Sequence, residues 1–205
     1  MKMKLFYLCC LLLSFSLPIL SYANSEQSAT PVMKSAAQVD DQQVADQQEP
    51  KMYQGLTAAH NRIRQPLGLP ALIWSNRLAA HAQEWADHLA DQQQCAMEHR
   101  PNEGEYQRVY GENLFWASPR RWSNGFIEAQ PINAADIVTP WADEKHDYDY
   151  DSNQCVSGKV CGHYTQIIWR DTERMGCGMR ICDNKAQIWV CSYDPPGNYT
   201  GEKPY

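Results

Sequence analysis

After its first two dozen residues the sequence has no long apolar run, no basic excess, no glycine-rich phosphate loop and no paired C-x-x-C knuckles. Each lack excludes something. Without a second apolar stretch, nothing past the N-terminus reads as a transmembrane anchor. The formal charge of −6 divides into +2 over residues 1–23, −4 over 24–50 and −4 over 51–205. No basic face results, so there is no electrostatic footprint for nucleic acid and no excess attraction to anionic lipid, and any lipid contact has to be apolar. The absence of G-x-G-x-x-G and of a phosphate loop argues against a nucleotide fold. No serine or cysteine nucleophile motif is present either.

The N-terminus carries Lys2 and Lys4, an apolar run from Leu5 to Leu20, and the small residues Ser21 and Ala23 flanking Tyr22. That order predicts a secretory signal over 1–23, cleaved after Ala23. The alternative, a membrane anchor, needs a longer span than these 16 residues supply. Residues 24–50 are rich in Gln, Asp, Ala and Ser and contain no aromatic residue. They cannot bury enough surface to offset the entropy of ordering, and are expected to form a flexible linker. The remaining chain, 51–205, is sized for one domain. Loss of the leader removes Cys9 and Cys10 and leaves Cys95, Cys155, Cys161, Cys177, Cys182 and Cys191. An even number in an exported chain favours disulfides over a structural zinc site, with the connectivity open.

Along the domain, Tyr53, Leu56, Ala59 and Ile63 recur at helical spacing, which predicts a helix over 53–64 ended by Pro66 and Gly68. Ser75 is a candidate N-cap for a second helix to about Gln94, with Leu78, Ala82, Trp85, Ala86 and Leu89 on one face. His81 and His88 on it read as solvated. His99 and Glu112 flank the loop Pro101–Tyr110 and mean little unless something gathers them. Asn133 is a candidate cap for a pattern through Ala134, Ile137, Val138 and Trp141, but Pro140 falls inside it, so a short helix over 140–145, carrying Glu144, is preferred. Strands are expected over 164–169, 175–181 and 186–193, with a turn at Asp183-Asn184-Lys185 and His163 at the mouth of the first strand. Helices first and strands last indicate an α+β fold with helices packed on a small antiparallel sheet.

Five stretches in this order carry a family likeness: His60-Asn61-x-x-Arg64, Gly111-Glu112-Asn113-Leu114, Trp141–Tyr150 (WADEKHDYDY), Cys161–Trp169 (CGHYTQIIW) and Cys191–Tyr199 (CSYDPPGNY). The chain resembles the CAP superfamily of secreted cysteine-rich proteins, most closely the plant pathogenesis-related group-one type, over about residues 51–205. The resemblance implies an α-β-α sandwich whose central cleft gathers His99, Glu112, Glu144 and His163. It further implies the pairs Cys95–Cys182, Cys155–Cys161 and Cys177–Cys191. Imidazoles and carboxylates suit zinc or another divalent cation, with His99 and His163 as ligands and the glutamates orienting them.

The function so implied is a secreted module, extracellular or periplasmic, that binds a small apolar ligand such as a sterol or fatty acid, with a metal-sensitive cleft. Phe115, Trp116, Trp122, Tyr148 and Tyr150 are candidates to line an apolar pocket. One alternative is a metal-assisted hydrolase with Glu112 or Glu144 as base. Another is a secreted defence factor that binds a protein partner. The C-terminus resembles the segment from which plant relatives are thought to release a signalling peptide after Asp194. Pro195 and Pro196 should end the sheet near Tyr193, and a tail packed over the domain is the preferred reading there.

Overall fold

Strands β7 (Arg174–Ile181) and β8 (Gln187–Asp194) form the antiparallel hairpin on which the other elements are laid. They are seen in a computed structural model that describes residues 48–205. The predicted signal, residues 24–47 of the linker, and Cys9 and Cys10 lie outside the described residues. Strand β2 (Gly111–Ala117) pairs antiparallel with β8, and the short β1 (Ile73–Trp74) pairs parallel with β7, giving the order β1-β7-β8-β2.

Both faces of this sheet are covered, as the side chains of β8 show. Trp189, Cys191 and Tyr193 point into a core with Leu56, Ile137, Trp141 and Ile167, contributed by α1 (Leu56–Arg64), α3 (Ala134–Asp143) and α4 (Gly162–Ile167). The alternate residues Ile188 and Val190 meet Ala82, Trp85 and Leu89 of α2 (Asn76–Gln93) on the other face. The period-two alternation thus feeds two cores, and the result is the expected α-β-α sandwich. Helix α2 lies very close to β7: a Cβ on Gly176 would sit 2.3 Å from the Ala79 nitrogen, and one on Gly178 2.3 Å from the Gln83 nitrogen.

Several expected elements come out differently. The first helix begins at Leu56, because Gly55 is left-handed (φ 96°) and Lys51–Tyr53 forms a separate 3-10 turn. Glu49 belongs to this corner: its carboxylate accepts from the Gly55 and Thr57 nitrogens at 2.7 and 2.8 Å, capping the helix. Helix α3 runs from Ala134 through Pro140 instead of restarting there. A reciprocal cap between Asn133 and Asp136 nucleates it, and burial of Ile137, Val138 and Trp141 offsets the bond that Pro140 cannot make. The stretch 164–169 is not a strand: Gly162–Ile167 is helix α4. The order is also not helices before strands, since β1 and β2 precede α3 and α4.

A small hairpin, β3 (Arg120–Arg121) with β4 (Ile127–Glu128), fills the segment between Pro119 and Pro131, and β5 (Tyr148–Asp149) pairs with β6 (Gln154–Cys155) before α4. Disulfides join Cys95 to Cys182, Cys155 to Cys161 and Cys177 to Cys191. Strand β8 ends at Asp194 and the tail is packed down: the Arg170 nitrogen donates to the Pro204 carbonyl, Tyr205 stacks on Tyr150, and Pro204 is buried. Among the described residues no helix is long and apolar enough to cross a membrane.

Candidate functional site: two histidine–glutamate pairs

The chain leaving α2 turns through Gln94 and Cys95, both left-handed, and the Trp85 indole donates to the Glu98 carbonyl at 2.9 Å. This sets His99 opposite β2. Its Nδ1 lies 2.8 Å from Glu112 Oε1, which also accepts the Arg100 backbone N–H at 3.0 Å. The Glu112 side chain is only 2% exposed, and its other oxygen has the Arg100 Nε as its nearest cation at 4.0 Å. Arg100 is itself held: its guanidinium donates to the His81 carbonyl and to Glu84, and lies over Trp85 and Tyr106.

The second pair is built where α3 meets α4. Glu144 follows α3 in a 3-10 turn, and its Oε1 lies 2.5 Å from His163 Nδ1. Its Oε2 accepts the backbone N–H groups of His163 and Tyr164 at 2.9 and 3.2 Å. One carboxylate therefore caps α4 and aims the imidazole. The Trp141 indole lies parallel to the His163 ring with centroids 5.9 Å apart, and donates its own N–H to the Leu114 carbonyl. The Cys155–Cys161 bridge ties down the chain just ahead of His163.

A buried polar relay underlies the second pair. Asn113 donates to the His163 carbonyl and to the Tyr193 hydroxyl, both at 3.2 Å, and Tyr193 lies 2.8 Å from His60 Nε2. Burial pushes the Tyr193 phenol well up and pulls His60 down to about 4, so both are neutral at neutral pH. Tyr193 O–H then donates to His60 Nε2, while His60 Nδ1–H donates to the Leu56 carbonyl at 2.8 Å. Buried Arg64 donates to the carbonyls of Pro70, Ile167, Trp169, Arg170 and Thr172. Burial pulls it down to about 10, so it remains a cation at the C-terminal end of α4.

The structure thus joins His99 to Glu112 and His163 to Glu144. Among the described residues it gathers no group of three or more His, Cys, Asp or Glu placed to hold one metal ion. In a neutral imidazole with Nδ1–H given to a carboxylate, Nε2 carries the lone pair, the form in which histidine binds a metal. A polar cleft of about 260 Å³ lies beside Glu112, between Tyr110, Gln166 and Asn198. A smaller one, about 230 Å³, has Met52, Leu56, Ile132, Ile137 and Trp189 in its wall. The candidate aromatics do not share a pocket. Phe115 packs against the core, Trp116 and Trp122 are exposed, Tyr150 stacks on Tyr205, and Tyr148 lines a third cavity with Trp169 and Tyr199. Helical spacing placed Trp141 in a core, but nothing local marked its stacking on His163, the role of Arg100 or the Asn113–Tyr193–His60 relay, whose partners are distant in sequence.

Residues 57–193 match the cysteine-rich secretory protein (CAP) family. Pathogenesis-related protein PR-1 of Medicago truncatula is 41% identical over 146 residues, covering 71% of this chain and 74% of that one. Pathogenesis-related protein 1A of Nicotiana tabacum is 43% identical over 147 residues, covering 72% and 77%. Two solved structures share the fold. Venom allergen-like protein 4 of Schistosoma mansoni has a TM-score of 0.56 at 23% identity, over 77% of this chain and 95% of that one. NaASP2, solved with Zn2+, has a TM-score of 0.56 at 18% identity, over 78% and 87%. The chain belongs to the CAP family, with relatives of the pathogenesis-related PR-1 type.

Proposed function

We propose that this is a secreted binding protein of the defence type, working outside the cytoplasm, whose His99 and His163 take a divalent cation and whose ligand is a small apolar molecule such as a sterol or fatty acid. The observation that carries the reading is the commitment of each imidazole Nδ1 to its own glutamate, at 2.8 and 2.5 Å, which leaves both Nε2 atoms as donors of a lone pair. Zinc fits such nitrogen donors, and two imidazoles leave its remaining positions to water or ligand. Three disulfides suit an oxidising compartment. The cavity of about 310 Å³ lined by Tyr148, Trp169, Tyr199 and Pro204 supplies apolar surface, and the names of the PR-1 relatives support a role in defence.

The hydrolase alternative asks one glutamate to act as base. Both oxygens of Glu144 are taken by His163 and Tyr164, and Glu112 Oε1 is taken by His99 and the Arg100 N–H, while its buried Oε2 accepts no hydrogen bond and has the Arg100 Nε 4.0 Å away. These bonds favour an orienting role. Incubating the protein with labelled sterol and fatty acid, with and without zinc, and with ester and peptide substrates separates the readings. Retention of label without turnover is expected. Turnover that disappears in Glu112→Ala would make the protein a hydrolase instead.

A further inference from the structure

We propose that the β3–β4 hairpin is a membrane-contact element that seats Trp122 and Phe126 at the headgroup boundary of a phospholipid bilayer. The pairing Arg120 with Glu128 and Arg121 with Ile127 is extended by a bond from the Trp122 nitrogen to the Phe126 carbonyl at 2.9 Å. Trp122 and Phe126 are therefore opposed and, by the two-residue period, share a face with Arg120 and Glu128. They are 50% and 57% exposed. Two large exposed aromatic rings carried on one hairpin face offer apolar surface for an interaction site.

Two further features select a bilayer as the occupant. First, polar groups at the tip are satisfied within the hairpin. The Trp122 indole donates to Glu128 at 3.0 Å, the Gly125 nitrogen to the Trp122 carbonyl at 3.0 Å, and the Phe126 nitrogen to Asn124 Oδ1 at 3.0 Å. Taking the tip out of bulk water therefore strands none of these donors. Second, although the chain as a whole carries −6 and has no basic face, residues 120–128 are locally basic at +1: Arg120 lies 3.7 Å from the single acid Glu128, and Arg121 adds a further charge. The Arg120 guanidinium lies 5.7 Å over the Trp122 ring, so cation and aromatic surface are presented together, as an interface of phosphate and acyl chain requires. The aromatic pair is also held in place. Gln130 donates to the Ser118 carbonyl at 2.8 Å and Gln187 of β8 donates to the Gln130 carbonyl at 2.6 Å, fastening the base of the hairpin to the central sheet. The proposal does not depend on the cleft reading, since it uses no residue of either histidine–glutamate pair.

The test is co-sedimentation of the secreted protein with vesicles of phosphatidylcholine alone and of phosphatidylcholine mixed with phosphatidylglycerol. Binding to the mixed vesicles with a blue shift of tryptophan fluorescence is expected. The double change Trp122→Ala with Phe126→Ala should weaken it about tenfold or more. Arg120→Ala with Arg121→Ala should weaken binding to the mixed vesicles by roughly fivefold per arginine and leave phosphatidylcholine binding unchanged. Quenching of the wild-type fluorescence by brominated lipid asks the same question without a variant. Failure of the wild type to bind either vesicle would overturn the proposal, as would equal binding by the folded aromatic variant. So would a dimer that the aromatic change abolishes in the absence of any vesicle binding, which would make a second copy the occupant.

Discussion

Arg64 is a residue whose importance lies entirely in backbone carbonyls. It is fully buried and donates to five of them, one at the last residue of α4, Ile167, and three just beyond it, at Trp169, Arg170 and Thr172. Arg64→Met keeps much of the volume but strands those acceptors, at about 1–3 kcal/mol for each one left dry. Calorimetry should show a melting temperature lower by roughly 10 °C. Its neighbour His60 predicts a pH effect. Burial, the leading cause, takes the imidazole from 6.5 down to about 4, partly opposed by the Leu56 carbonyl. The unfolded chain therefore binds the proton first as pH falls, so the contribution of neutral His60 is fully present above about 6.5 and is lost on the way down to about 4. About 3 kcal/mol should disappear across that window in urea titrations. His60→Gln should remove most of the slope; an unchanged slope would mean that other groups carry it.

Elements were legible where one face is buried and illegible where tertiary bonds decide. Helix α2 follows from Ser75 and its apolar stripe, and the Ser75 hydroxyl does accept from the Leu78 nitrogen. Strands β7 and β8 follow from their β-branched and aromatic residues. In α4 the same residue types, Tyr164 to Trp169, argue for a strand. What overrides them is the Glu144 cap on its first turn and the Arg64 cation on its last carbonyls, both distant in sequence. Helix α3 shows the converse, since Pro140 marks a local cost but not the burial of Trp141 that outweighs it. Packing of α2 on β7 gives a sharp test. Gly176→Ala places a methyl against helix backbone at 2.3 Å, and overpacking of this kind should destabilise by about 2–3 kcal/mol in a denaturant titration. A neutral result would mean that α2 moves away at little cost.

At the scale of the molecule, the disulfides fasten the sandwich at separate points. Cys95–Cys182 ties the end of α2 to the turn between β7 and β8, closing 87 residues, and Cys177–Cys191 joins those two strands in register. Reduction should therefore cost about 2–4 kcal/mol per bridge, read as a fall in the urea midpoint. The leader pattern and the cysteine count indicated an exported, stapled chain, and the helical and strand patterns an α+β domain. They did not indicate the site, because His99 and His163 are 64 positions apart in sequence and come from different elements. Motif resemblance supplied all four residues, and the fold shows how they pair, His99 with Glu112 of β2 and His163 with Glu144 just after α3. The central claim is that these glutamates hold two imidazoles ready for a cation. Isothermal titration of zinc into the protein tests it most directly. The account predicts binding that weakens about 10–100-fold in Glu144→Ala, an orienting partner, and is abolished in His99→Ala with His163→Ala. Zinc bound equally well by that double variant, or no zinc bound by the unaltered protein, would contradict it.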